Sequence, residues 1–300
     1  MSICLKGKQQ SPININSNIS KRCGATCDLT FFYKTSKLNI KNFNNDIIIE
    51  YDTGSYINFN QEIYELEKIS FTTPSSHKID NDSHPCEAHL YHRSPYNGKI
   101  LIIGIFIDVN EAESGSLVFL NSLLGKFPKK NQEISINTND KWNIYNLIPN
   151  SQAFFLYNGS LTREPCSENI TWIIYDEPIN CSKKFFTNLK NISKNNARSI
   201  KKIGSRAIYF NPNTSKKNQK NYGSEGKMRC YTEAELNLRC TKIKNDTDAR
   251  NKANVVNIRI MKPIIFFIFI FVVISLFKAD FTSLIRNSFN KFLSNKFIDQ

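Results

Sequence analysis

The first ten residues (MSICLKGKQQ) contain no apolar run of the roughly seven to fifteen residues that a secretory leader needs, so entry by that route is not expected. Acidic residues are scarce: 26 Asp and Glu stand against 40 Lys and Arg, a net charge of +14, which directs attention to anionic partners. No internal repeat is present, which excludes a solenoid. No nucleic-acid reading motif accompanies the basic residues, so nucleic acid is not an expected partner. What is there suffices for a folded domain. The 300 residues allow one large domain with chain to spare, and 40% hydrophobic with 12% aromatic residues exclude wholesale disorder. The 8 cysteines are too many for a typical cytosolic enzyme and too sparse for a small disulfide scaffold, so some bridging is expected.

Between residues 30 and 180, short apolar runs alternate with turn-forming clusters. Residues 47–49 (III), 100–109 (ILIIGIFIDV) and 170–175 (ITWIIY) are too short for buried helices and rich in β-branched or aromatic side chains, which predicts strands. Helices are predicted over 116–124 (SLVFLNSLL) and 183–192. The fold class is therefore mainly β. Residues 264–277 (IIFFIFIFVVISLF) carry no charge and lie between Lys262 and Lys278. At about 1.5 Å per residue they cover roughly 21 Å, and snorkelling of the two lysines would extend that toward the ~30 Å hydrocarbon layer, which predicts a transmembrane helix. Beyond it, Phe281, Leu284, Ile285, Phe289, Phe292, Leu293 and Phe297 recur at helical spacing with Arg286, Lys291 and Lys296 between them, as in a helix lying in the lipid headgroup layer. The expected organisation is a domain over 1–235, a polar linker over 236–261, an anchor over 262–278 and an amphipathic tail over 279–300.

Positive charge is concentrated. Between Lys183 and Arg229 stand Lys183, Lys184, Lys190, Lys194, Arg198, Lys201, Lys202, Arg206, Lys216, Lys217, Lys220, Lys227 and Arg229 against the single acid Glu225. Such a segment sets up a field that steers a polyanion, whether nucleic acid, sulfated glycan or anionic lipid.

All four histidines, His77, His84, His89 and His92, fall within sixteen residues, a clustering that by itself suggests a zinc site. Other motifs point elsewhere. QSPINI at 10–15, EAHLYH at 87–92, IGIF at 103–106, LIP at 147–149 and YNGSLTREPCSEN at 157–169, followed by WII at 172–174, occur in this order. Together they closely resemble the α-class carbonic anhydrase family over roughly residues 9–215. The resemblance implies one domain around a large, mostly antiparallel central sheet with few helices, and a zinc held by three histidines. His89 matches the third ligand and Glu87 the carboxylate that orients a ligand histidine. The other two ligand positions read Ser70 and Thr72, and neutral hydroxyls do not replace imidazoles.

The resemblance further places His77 and His92 at structural positions, leaving His84 over. Thr162 matches the threonine that orients the zinc-bound hydroxide, but its acidic partner becomes Ser76, the next pocket position is Arg163, and the proton-shuttle region holds Asn44 and Asn45. No cofactor and no carbonic anhydrase activity are expected. Secreted members similar around Cys4 and Cys166 bridge such a pair, so Cys4 is expected to bond Cys166. Cys23 and Cys27 could bridge locally or bind metal, and Cys230 and Cys240 could bond between chains.

A carbonic-anhydrase-like domain without its zinc ligands, followed by a basic segment and a C-terminal anchor, resembles the poxvirus cell-surface-binding proteins. Those sit in the virion membrane and bind chondroitin sulfate on host cells. The resemblance implies binding of sulfated glycosaminoglycan through Lys183, Lys184, Lys190, Lys194, Arg198, Lys201, Lys202, Arg206, Lys216, Lys217 and Lys220. Other expected partners are the lipid membrane and, in a homo-oligomer, a second copy. The acidic pair Glu50 and Asp52 argues against a sulfate site across the front of the sheet. Two other readings stand beside this one: a scaffold binding a protein, and an enzyme with a rebuilt pocket using Thr162 and Arg163 on a small anion.

Overall fold

The computed structural model describes residues 3–23, 27–44, 46–138 and 141–212, with Arg286, Asn287 and Asn290. The chain divides into a unit of Met1–Gln219 and another of Lys220–Gln300, and nearly all described residues belong to the first. The expected linker, anchor and tail, together with Lys216, Lys217, Lys220, Cys230 and Cys240, lie outside the described residues apart from the three named above. Among the described residues, no helix is long and apolar enough to cross a membrane.

Among the described residues of the first unit, fifteen strands and three short α-helices follow one another. The chain begins with α1 (Ile3–Lys6), β1 (Asn14–Ile15), β2 (Lys21–Arg22), β3 (Leu29–Phe32), β4 (Leu38–Phe43), β5 (Asp46–Glu50) and β6 (Tyr56–Phe59). Next come β7 (Glu62–Thr72), β8 (Lys78–Ile79), β9 (Cys86–Arg93), β10 (Ile100–Val109), α2 (Gly115–Asn121) and β11 (Gln132–Ile136). After these lie β12 (Phe154–Ser160), β13 (Glu168–Tyr175), β14 (Ile179–Cys181), α3 (Lys183–Ile192) and β15 (Tyr209–Asn211). Thirteen strands form one mixed sheet in the order β11-β4-β5-β7-β9-β10-β13-β12-β15-β2, with β14 on β10, β3 on β6 and β6 on β7, while β1 and β8 pair separately. Pairing is antiparallel except for β10 with β13 and β14, β15 with β2, and the separate β1 with β8.

The predicted strands coincide with β5, β10 and β13. The uninterrupted apolar run of β10 has a physical cause: both of its faces are covered. Leu101, Ile103, Ile105 and Ile107 join the larger core, whereas Ile102 and Phe106 join a second core on the opposite face. On β13, Ile173 and Tyr175 face the first core, and Ile170, Trp172 and Ile174 face the second. The helix α3 spans the predicted residues. Ser182 caps it by accepting a hydrogen bond from the Phe185 amide at 3.1 Å, and Phe185 and Leu189 enter the core. The helix predicted over 116–124 stops at Asn121, because the backbone tightens into i→i+3 bonds from Leu123 to Leu120 and Leu124 to Asn121, and Gly125 then turns the chain at φ 72°.

Candidate functional site

Neighbouring antiparallel strands β7 and β9 build the site. Their register sets Ser70 opposite His89 and Thr72 opposite Glu87. Alternation along each strand then puts Ser70 and Thr72 on the same face as Glu87, His89 and Tyr91. This is the face shared with Phe106 and Trp172 of the second core.

Glu87 organises the buried side of the site. Its Oε1 accepts from Nδ1 of His77 at 2.8 Å and from Nε2 of His89 at 2.9 Å, and its Oε2 accepts from the His77 amide at 2.8 Å. All three side chains are buried. Burial by itself would raise the Glu87 carboxyl, but the two imidazoles outweigh it and hold the group well below the ordinary carboxylate range. Burial also pushes His77 down, favouring a neutral ring. An ionised Glu87 and a neutral His77 fix the hydrogen-bond directions: Nε2 of His77 accepts from the Tyr157 hydroxyl at 2.7 Å, and Tyr157 accepts from Ser11 Oγ at 2.8 Å. Ser11 Oγ in turn accepts from the Ser160 amide at 3.0 Å. Gly104 of β10 backs this chain, since a Cβ there would lie 2.7 Å from Glu87 Oε1.

The arrangement does not fit the family's zinc ion. Ligand atoms of His77, Glu87 and His89 lie within 4.8 Å of one another, but they are engaged with one another and with Tyr157. The positions that the resemblance equates with zinc ligands hold Ser70, Thr72 and His89, and among the described residues there is no three-histidine site. Thr72 Oγ1 accepts from Ser76 Oγ at 3.1 Å, so Ser76 takes up a ligand-position hydroxyl rather than Thr162.

Tyr91, two residues beyond His89, fills this face. Burial pushes its hydroxyl pKa up, opposed by hydrogen bonds from Ser70 and Thr162 and by the Arg163 charge. Lys68 Nζ lies 5.1 Å from the centre of its ring. The sequence held the signal, since period-two alternation along 87–91 aligns Tyr91 with Glu87 and His89. Next to it, Arg163 pairs with Asp46 at 2.7 Å, and Asn196 joins the same carboxylate at 2.8 Å while reaching the Phe71 carbonyl at 3.1 Å. Of the remaining histidines, His92 is buried with its Nε2 2.7 Å from the Tyr33 hydroxyl, and His84 binds Asp108 at 2.7 Å. Where the resemblance places a proton-shuttle region, Asn44 turns the chain at φ 50°, and Asn45 lies outside the described residues. Glu50 is paired with Lys41 at 2.7 Å, and Asp52 accepts from the Lys37 amide at 2.8 Å.

The basic residues divide into two groups. Lys183, Lys184 and Lys190 are exposed on α3, Lys194 is exposed just after it, and Lys202 is exposed further along. Lys201 is half-buried, with its ammonium 3.2 Å from Ser199 Oγ. Arg198 and Arg206 turn to the protein itself. Arg198 donates to the carbonyls of Ser11 at 2.8 Å and Cys4 at 2.7 Å, and Arg206 donates to those of Ile203, Lys202 and Asn158 while its guanidinium lies 5.6 Å from the Tyr157 ring centre.

Cys4 is bridged to Cys166 as expected from the resemblance, and Cys23 and Cys27 form a local bridge. Cys86 and Cys181 are buried free thiols.

The chain is 26% identical over 211 residues to a carbonic anhydrase of Nostoc sp., covering 69% of this chain and 77% of that protein. It is 27% identical over 227 residues to alpha carbonic anhydrase 3 of Arabidopsis thaliana, covering 71% and 78%. The solved structure of the Photobacterium profundum alpha-carbonic anhydrase superposes with a TM-score of 0.63 at 26% identity, covering 69% of this chain and 91% of that one. The family described as eukaryotic-type carbonic anhydrase matches residues 1–212, and the chain belongs to that family.

Proposed function

We propose that this protein is an attachment protein of a virion surface. In this reading it binds sulfated glycosaminoglycan, chondroitin sulfate foremost, through a basic face of a carbonic-anhydrase-like domain without hydratase activity, and residues 262–278 hold it in the virion membrane. The observation that carries the reading is the set of exposed cations Lys183, Lys184, Lys190, Lys194 and Lys202. Among the described residues, none has a carboxylate within ion-pair distance. Sulfate oxygens accept charge-assisted hydrogen bonds from such ammonium groups, and these exposed contacts weaken as salt screens them. Arg198 and Arg206 serve the fold instead, because their donors are taken by backbone carbonyls. Ser70 and Thr72 at ligand positions, with Tyr91 against them, support the absence of hydratase activity: without three ligands no zinc lowers the pKa of a bound water.

The full chain in nonionic detergent, passed over immobilised chondroitin sulfate in graded salt, tests the reading. Retention at low salt that decays as salt rises, and weakens at least tenfold on reversing Lys183, Lys184, Lys190 and Lys194 to Glu, is expected. Absent retention, or retention indifferent to salt, overturns glycan binding and leaves a protein-binding scaffold. Carbon dioxide hydration above background in zinc-containing buffer overturns the non-enzymatic part.

A further inference from the structure

We propose a second binding site, for a small amphipathic monocarboxylate, in a cavity beside α2. The cavity measures about 640 Å³ and lies between α2, the edge strand β11 with its neighbour β4, and the segment around Trp142. That volume is in the range of pockets that enclose a small organic molecule. Its floor is apolar and aromatic. Leu38, Phe119 and Trp142 line it, and the last two rings stack with centroids 4.8 Å apart at 25°.

Two observations name the ligand's chemistry. Lys126 and Lys141 stand on the rim, and among the described residues neither ammonium has a carboxylate within ion-pair distance. Glu113 is also on the rim, so the side chains there sum to one net positive charge. That balance favours a monoanion and disfavours a polyanion, which separates this site from the glycan-binding lysines of α3. The apolar body lies on Phe119 and Trp142, and the carboxylate accepts from Lys126 and Lys141.

The test uses the full chain, ¹⁵N-labelled in nonionic detergent, whose two indole N–H resonances are assigned by triple-resonance spectroscopy. Unlabelled indole-3-acetate is titrated beside its neutral analogue indole-3-acetamide. Saturable movement of the Trp142 resonance by the acetate, with that of Trp172 stationary, is expected, together with at least tenfold weaker binding of the acetamide. Lys126→Met lowers affinity for the acetate at least tenfold and leaves the Trp172 resonance in place, which shows that the fold persists. No movement of Trp142, equal movement by both probes, or indifference to Lys126→Met overturns the proposal.

Discussion

Glu87 is a carboxylate with no exposed surface, yet it stays charged because three N–H groups converge on it. Its surroundings leave no room for additional atoms. At Gly104, a methyl group would meet Glu87 Oε1 and Ile174 Cδ1, each at 2.7 Å. Gly104→Ala is therefore expected to lower stability by about 1–3 kcal/mol through overpacking, read as a shift in the urea midpoint at unchanged slope. His92 makes a separate prediction. Burial lowers it from 6.5 to about 3, so its stabilising contribution is complete above pH 6.5 and is lost as pH falls toward 3. Unfolding free energy should decline by about 1.4 kcal/mol per pH unit on its account below pH 6. In His92→Asn the pH profile of urea unfolding is expected to be flatter by that amount, and an unchanged slope would contradict the burial argument.

At the scale of elements, the N-terminal arm is held from several directions. Cys4 is bridged to Cys166 across 162 residues of sequence, the Gln9 amide donates to Glu168 at 2.6 Å, and Arg198 clasps the carbonyls of Cys4 and Ser11. A bridge closing so long a loop restricts the unfolded chain strongly. Cys4→Ser is expected to lower stability by about 2–5 kcal/mol, measured by urea unfolding under oxidising conditions against the unaltered chain under the same conditions. The strands β5, β10 and β13 were legible because short β-branched and aromatic runs define them locally, and the span of α3 was legible as well. The two-residue strands β2 and β8 carry no such pattern, since pairing with β15 and β1 creates them.

Across the whole molecule, Ser70 and Thr72 are the departures from the three-histidine ligand set that the resemblance implies. His89 and its Glu87 partner remain, so Ser70→His combined with Thr72→His and Tyr91→Val is expected to bind zinc near one ion per chain, measured by metal analysis after dialysis, where the unaltered chain binds substoichiometrically. Failure of the triple variant to take up zinc would show that the framework itself no longer supports the ligand geometry.

The residues at the ligand positions, the common face of Glu87, His89 and Tyr91, the two-sided burial of β10 and the excess of cations between 183 and 229 follow from the amino-acid order, because each depends on identity or on short-range periodicity. Only the tertiary structure decided which cations are free. Arg198 and Arg206 look no different from their lysine neighbours in the sequence, but the fold carries the carbonyls of Cys4, Ser11 and Asn158 to them. The pairing of Tyr91 with Ser70 and Thr162, and the cavity beside Trp142, were settled in the same way, by contacts between segments far apart in the chain.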